Sequence, residues 1–179
     1  MKKLILAAIV AAFASSCAHT PKTAGEQATM ESRASNALVE MRRADPSIDQ
    51  VLGSAYAYAV FPEVGKAGFI AGGASGAGIL YEQGRPIGNV TLTQGSFGAQ
   101  AGAQTFAELV ILHNEMEVAK LKAGSFDLGG NASAVVLKSG AGASTALARG
   151  AAVFVMPRGG AMVDISVAGQ QIKFEPFAG

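Results

Sequence analysis

Gly68-Phe69-Ile70-Ala71-Gly72-Gly73-Ala74-Ser75-Gly76-Ala77-Gly78-Ile79-Leu80-Tyr81 is the stretch on which the fold turns. Read at a period of two, Gly68, Ile70, Gly72, Ala74, Gly76, Gly78 and Leu80 share one face. That face is nearly bare. A strand without side chains on one side lets a neighbouring layer approach closely, or lets the strand bend hard. Gly68, Gly72, Gly73, Gly76 and Gly78 are therefore read as structural glycines.

The same stretch invites a nucleotide-binding reading, which its chemistry refuses. No Lys-Ser/Thr pair follows Gly78 to hold phosphate and magnesium, and no helix opens after it. An acidic residue about 20 positions on, at the end of a second strand, is also missing. The Gly-x-x-x-Gly spacings at 68/72/76 and 98/102 resemble membrane-helix packing, but Lys66, Ser75 and Gln100 interrupt them.

Outward from this stretch the period of two continues. Tyr56 to Phe61 reads as a strand stopped by Pro62. Glu82 to Pro86 is a turn, so the glycine strand and Ile87 to Thr93 form a hairpin. A further strand runs from Ser96 to about Leu112. Asn114 to Lys122 is a short helix with Asn114 as its cap and Glu117 in the position of a capping-box partner. Strands follow at 126–137, 146–156, 161–167 and 171–174, with glycine turns between them. Upstream, Ala34, Ala37, Leu38 and Met41 make one apolar stripe on a helix over 29–44, with Arg42 and Arg43 in its last turn. Asp45-Pro46 opens a second helix that ends at Gly53. Two helices, then strands broken by one helix, predict an α+β fold. N-terminal helices would pack on a strongly curved, mainly antiparallel, glycine-rich sheet or partial barrel.

The N-terminus carries a different signal. Met1-Lys2-Lys3 is a positive start, Leu4 to Phe13 an apolar run of ten residues, and Ala14-Ser15-Ser16 a small-residue cleavage site. The chain's one cysteine, Cys17, follows directly. This resembles the lipobox of bacterial lipoproteins, in which the thiol is acylated and the chain is cut before the cysteine. Ala14 stands where that family favours leucine. The competing reading is an ordinary secretory signal with a chance cysteine. The apolar run is well short of the roughly 20 residues that span a membrane. The expected organisation is 1–16 signal peptide, 17–28 lipidated tether and 29–179 folded domain.

Composition narrows the function. Residues 17–179 number 163, enough for one domain, and half of the whole chain is hydrophobic. Without Lys2 and Lys3 there are 12 basic and 13 acidic residues, a net charge of −1. No global field draws nucleic acid, so anion binding must be local. His19 and His113 are the entire imidazole supply, and Asp45, Asp49, Asp127 and Asp164 are scattered. No metal-ligand spacing, cofactor motif or catalytic constellation results. The expectation is a non-enzyme with no metal and no cofactor.

Ala59-Val60-Phe61-Pro62-Glu63-Val64-Gly65-Lys66-Ala67-Gly68-Phe69-Ile70-Ala71-Gly72-Gly73, continued by Gly76-Ala77-Gly78, resembles the SYLF domain. Three further blocks agree in order: Gly95 to Ala103, Leu109 to Leu112 with Asn114, and Arg158 to Val167. Together they cover roughly residues 30 to 175. The resemblance implies binding of phosphoinositides or other anionic lipids, non-catalytically. Some fungal members also bundle actin. That is not expected here, because a secreted bacterial protein does not meet actin. Candidate head-group contacts are Lys66 and Arg158, beside glycine turns, and Arg42 and Arg43 on the first helix. Arg158 stands where the family often has lysine. The expected place is the bacterial envelope, at the outer membrane facing the periplasm or surface. The alternative is a structural or assembly module of the envelope with no ligand of its own. A small membrane β-barrel is a third reading, disfavoured by the lack of aromatic belts.

Overall fold

The computed structural model describes residues 20–68, 71–97, 102–124, 126–128, 133–136, 152–160 and 169–177. Three helices and eight strands lie among them: α1 (Ala24–Ala44), α2 (Ile48–Ser54), β1 (Ala57–Gly68), β2 (Ala71–Glu82), β3 (Arg85–Phe97), β4 (Gly102–Leu112), α3 (Glu115–Lys122), β5 (Asp127–Leu128), β6 (Ser133–Val136), β7 (Ala152–Gly160) and β8 (Gln170–Pro176). The strands form one sheet in the order β5-β8-β3-β2-β1-β4-β7-β6. Its pairs are antiparallel except β6 with β7. The predicted α+β class is the observed one. The strand expected at 161–167 and the glycine turn at 140–142 lie outside the described residues, as do Cys17 and His19.

The helices begin where local chemistry starts them. Thr23 caps α1: its hydroxyl accepts from Glu26 N, while Glu26 Oε2 accepts from Thr23 N. This capping box starts the helix five residues before the predicted position of 29. Asp45 Oδ1 accepts from Ser47 N at 3.0 Å, holding the bend into α2. Asn114 caps α3 as expected. Glu117 reaches back to His113 N rather than to Asn114 N.

Pro62 does not stop its strand. β1 runs through it, because Pro62 falls at a bulge where the register shifts between Val60 and Glu63. A proline has no ladder donor to lose at such a position. The bulge also turns the strand's alternation. Phe61 before it and Val64 after it face the same core.

The sheet has two buried faces. Met30, Ala34, Ala37 and Met41 of α1, with Ile48 and Val51 of α2, pack on Val60, Ala77, Ile79, Leu109, Ile111 and Phe154. This is the outer face. On the other, Phe61, Val64, Leu80, Leu92, Phe106, Val110 and Val155 meet each other, with Val118 and Leu121 of α3 over one end.

That inner face is strongly concave. Gln170 of β8 and Glu108 of β4 are four strand spacings apart in the sheet order, about 19 Å if the sheet were flat. Yet Gln170 Nε2 donates to Glu108 Oε2 at 3.0 Å. The sheet must curl for this contact to exist. The glycines of β2 permit the curl. A Cβ at Gly78 would stand 2.2 Å from Val60 O, and one at Gly76 2.8 Å from Glu63 O. The described strands still form an open sheet, a partial barrel with β5 and β6 at its edges.

Candidate functional site: a polar layer inside the sheet and paired cations outside it

The inner face changes character along its length. Near α3 it is apolar. At the opposite end the ladders align a polar row. Gln170 pairs with Gln94, Gln94 with Ala74, Ala74 with Lys66, and Lys66 with Gln104. Gln94 lies two residues from inward Leu92, Lys66 two from Val64, and Gln104 two from Phe106, so all share the concave side. They are buried: Lys66 is 2 % exposed, and Gln170 not at all.

Glu108 lies deeper on the same wall, opposite Phe61, and is fully buried. Burial pushes its carboxyl up to about 8, opposed by the hydrogen bond from Gln170. At neutral pH the group is mainly the uncharged acid. Glu108 Oε1 and Gln170 Oε1 are buried without a protein partner among the described residues. Sequence reading missed this pair, although it left a trace: a carboxylate inside the run Thr105-Phe106-Ala107-Glu108-Leu109-Val110-Ile111-Leu112.

The outer face carries its charges in pairs. Arg33 bonds Glu63 at 2.9 Å, and Arg158 bonds Glu40 of α1 at 2.7 Å. Arg42 pairs with Asp49 across the α1–α2 bend. At the end of the inner face that α3 covers, Lys122 pairs with Glu82 at 2.8 Å. Arg43 is exposed on α1. Arg42 borders a surface groove of about 540 Å³, shared with Leu38, Asp49, Leu52, Tyr58 and Gln83. Beneath it Tyr58 stacks on Tyr81, centroids 5.0 Å apart. Burial pushes the Tyr81 phenol up to about 12.

The four candidate cations therefore do not converge. Lys66 points into the concave side, and Arg158 reaches α1 on the opposite side. Arg42 and Arg43 share the end of α1. Among the described residues, no His, Cys, Asp or Glu group could hold a metal ion. No described helix is long and apolar enough to cross a membrane, which does not bear on crossing by strands.

Residues 93–176 match the model of the family described as Ysc84, Las17-binding protein actin regulator. This is the SYLF family to which the sequence blocks pointed. Among curated proteins the chain has no match. The matched segment supplies the end of β3 and all of β4, β7 and β8, which flank β1 and β2 on both sides. The block Ala59 to Gly78 lies outside the match but forms the middle of the same sheet. The matched strands therefore have no continuous sheet without residues 57–82.

Proposed function

From the premise that residues 93–176 carry the SYLF domain, we propose that the protein is a lipidated bacterial envelope protein that binds anionic phospholipid and catalyses nothing. The family assignment is the observation that carries this reading. It is consistent with lipid binding. The N-terminal signal ending in Cys17 supports an anchor, since one acyl chain holds marginally and several hold lastingly. The acyl chains fix the protein to the outer membrane, and the domain contacts head groups through local cations despite a net charge of −1 for residues 17–179. Las17 and actin appear in the family's description and are not carried over to a chain with a secretory signal.

The test uses residues 18–179, which carry neither the signal segment nor the acylated cysteine and leave only the domain to bind. It should sediment with phosphatidylcholine vesicles containing one third phosphatidylglycerol, and much less with phosphatidylcholine alone. Binding should fall as salt rises, because screening shortens to about 8 Å at 0.15 M. No sedimentation at low salt would discard lipid binding by the domain. A second reading, an assembly module without a ligand, is favoured by one observation. Arg33, Arg42 and Arg158 are already neutralised by carboxylates within the domain. In that case the same experiment gives no binding, while Cys17 still directs the wild-type chain to membranes.

A further inference from the structure

We infer that the outer face of the β3–β8 strip, with Thr91, Thr93 and Lys173, together with Lys22, is the surface that the anchor holds against an anionic phospholipid bilayer. The inference rests on Cys17 being acylated. It adds which part of the domain then meets the membrane.

The first argument is chain length. Thr20 Oγ1 lies 3.3 Å from Thr91 Oγ1, a contact between residues 71 apart in sequence. Only Ala18 and His19 separate Thr20 from Cys17. Whatever path they take, three peptide steps of 3.8 Å reach at most about 11 Å. A folded domain of this size has a radius of gyration of about 15 Å. An anchor that short cannot present the far side of the domain to the bilayer. The 21 residues of α1 carry its other end, and α2 beyond it, about 30 Å from the helix start.

The second argument is what this strip lacks. The core beneath α1 and α2 draws on β1, β2, β4 and β7 and takes no residue from β3 or β8. Val90, Leu92 and Ile172 point to the inner core, so their neighbours Thr91, Thr93, Gln171 and Lys173 point outward. Thr91 pairs with Lys173, and Thr93 with Gln171. Thr93, Gln171 and Lys173 are exposed, as is Lys22 on the approach to α1. Glu175 is the exposed carboxylate of the strip, and Glu26 nearby is engaged by the backbone N–H groups of Lys22 and Thr23. Among the described side chains its exposed outward residues Thr93, Gln171 and Lys173 are polar, and Lys22 beside them adds a second ammonium group. Such a surface suits the head-group layer, where a lysine near anionic lipid is attracted electrostatically.

The experiment uses the full acylated protein in vesicles of phosphatidylcholine with one third phosphatidylglycerol. With Cys17 acylated, a fluorophore can be placed on one new thiol, from Thr93→Cys or from Gln50→Cys on α2. A quencher fixed at the bilayer surface should quench the label at residue 93 strongly and the label at residue 50 weakly. Lys22→Glu combined with Lys173→Glu should reduce quenching at residue 93 at least twofold while the protein stays with the vesicles. Equal quenching at both positions, or stronger quenching at residue 50, overturns the orientation while the anchor stands. Unchanged quenching in the double variant overturns the role given to the two lysines. A protein that washes off the vesicles overturns the anchor and this inference with it.

Discussion

The two faces of one sheet treat charge in opposite ways. Outside, Arg33, Arg42 and Arg158 each meet a carboxylate while remaining a third to a half exposed. Water solvates both partners, so each pair forms at little desolvation cost and contributes little. Inside, Glu108 is fully buried, and among the described residues its hydrogen-bond partner is the amide of Gln170. It solves the problem by keeping its proton. The glycines follow the same division. Gly72, Gly76 and Gly78 of β2 lie against the backbone of β1 on the curled side, where a methyl has no room, whereas Gly53 and Gly84 face open space. Substitutions should therefore grow costlier from the outer face to the inner one.

The largest effect is expected at Gly78. Gly78→Ala places a Cβ 2.2 Å from Val60 O and 2.9 Å from Phe61 Cδ1. The first of these is backbone and cannot rotate away. A loss of about 3 kcal/mol, the upper range for overpacking, should appear as a lower urea midpoint. Gly84→Ala, at φ +77° with nothing near its Cβ, should cost less, through backbone strain alone. Equal losses at the two sites would break the comparison between the faces.

Glu108 comes next, and its sign is fixed by protonation. Its folded value of about 8 lies above its ordinary 4.5. The folded state holds a proton that the unfolded state has released, so stability falls as pH rises from about 4.5 to about 8. The slope is on the order of 1 kcal/mol per pH unit. Glu108→Gln keeps the shape and removes the titration. Its urea midpoint should match the parent near pH 5 and exceed it at pH 8. Parallel profiles for the two proteins would mean that the carboxylate is solvated or paired when ionised.

Much of this architecture was legible in local sequence, and the parts that were not share a cause. The period-two glycines of 72–78 announced a curled strand, and Asn114 announced a helix start; Gly68, read on that same strand, instead ends β1 and pairs with Gly72 of β2. The box Thr23-Ala24-Gly25-Glu26 was equally legible, although it falls inside the stretch 17–28 read as a tether. Thr23→Ala should cost about 1 kcal/mol in thermal or urea unfolding, the usual worth of a cap. Pro62 could be read as a stop because the residue itself does not say whether a bulge will accept it. Glu108 with Gln170 is a contact between residues 62 apart, made only by curling the sheet. Arg158 meets Glu40 only after α1 has settled on the outer face. Side-chain type and spacing carry no record of such closures. Lys66 and Arg158, each read as a cation beside glycines, accordingly lie on opposite sides of the sheet.

The smallest effect is expected at that Arg158–Glu40 pair, and it also bears on lipid binding. Arg158 and Glu40 side chains are 33 % and 48 % exposed at a separation of 2.7 Å. A double-mutant cycle with alanine at both positions should give a coupling of about 0.2–1 kcal/mol. Stability will hardly register the loss, but vesicle binding can. Glu40→Ala removes a negative charge and releases the guanidinium, which can then form a bidentate bond to phosphate. In residues 18–179, Glu40→Ala should sediment more strongly with anionic vesicles than its parent. Adding Arg158→Ala should abolish the gain. If the gain survives that second change, the released arginine is not the lipid contact, and the improvement comes from the altered charge of the outer face alone.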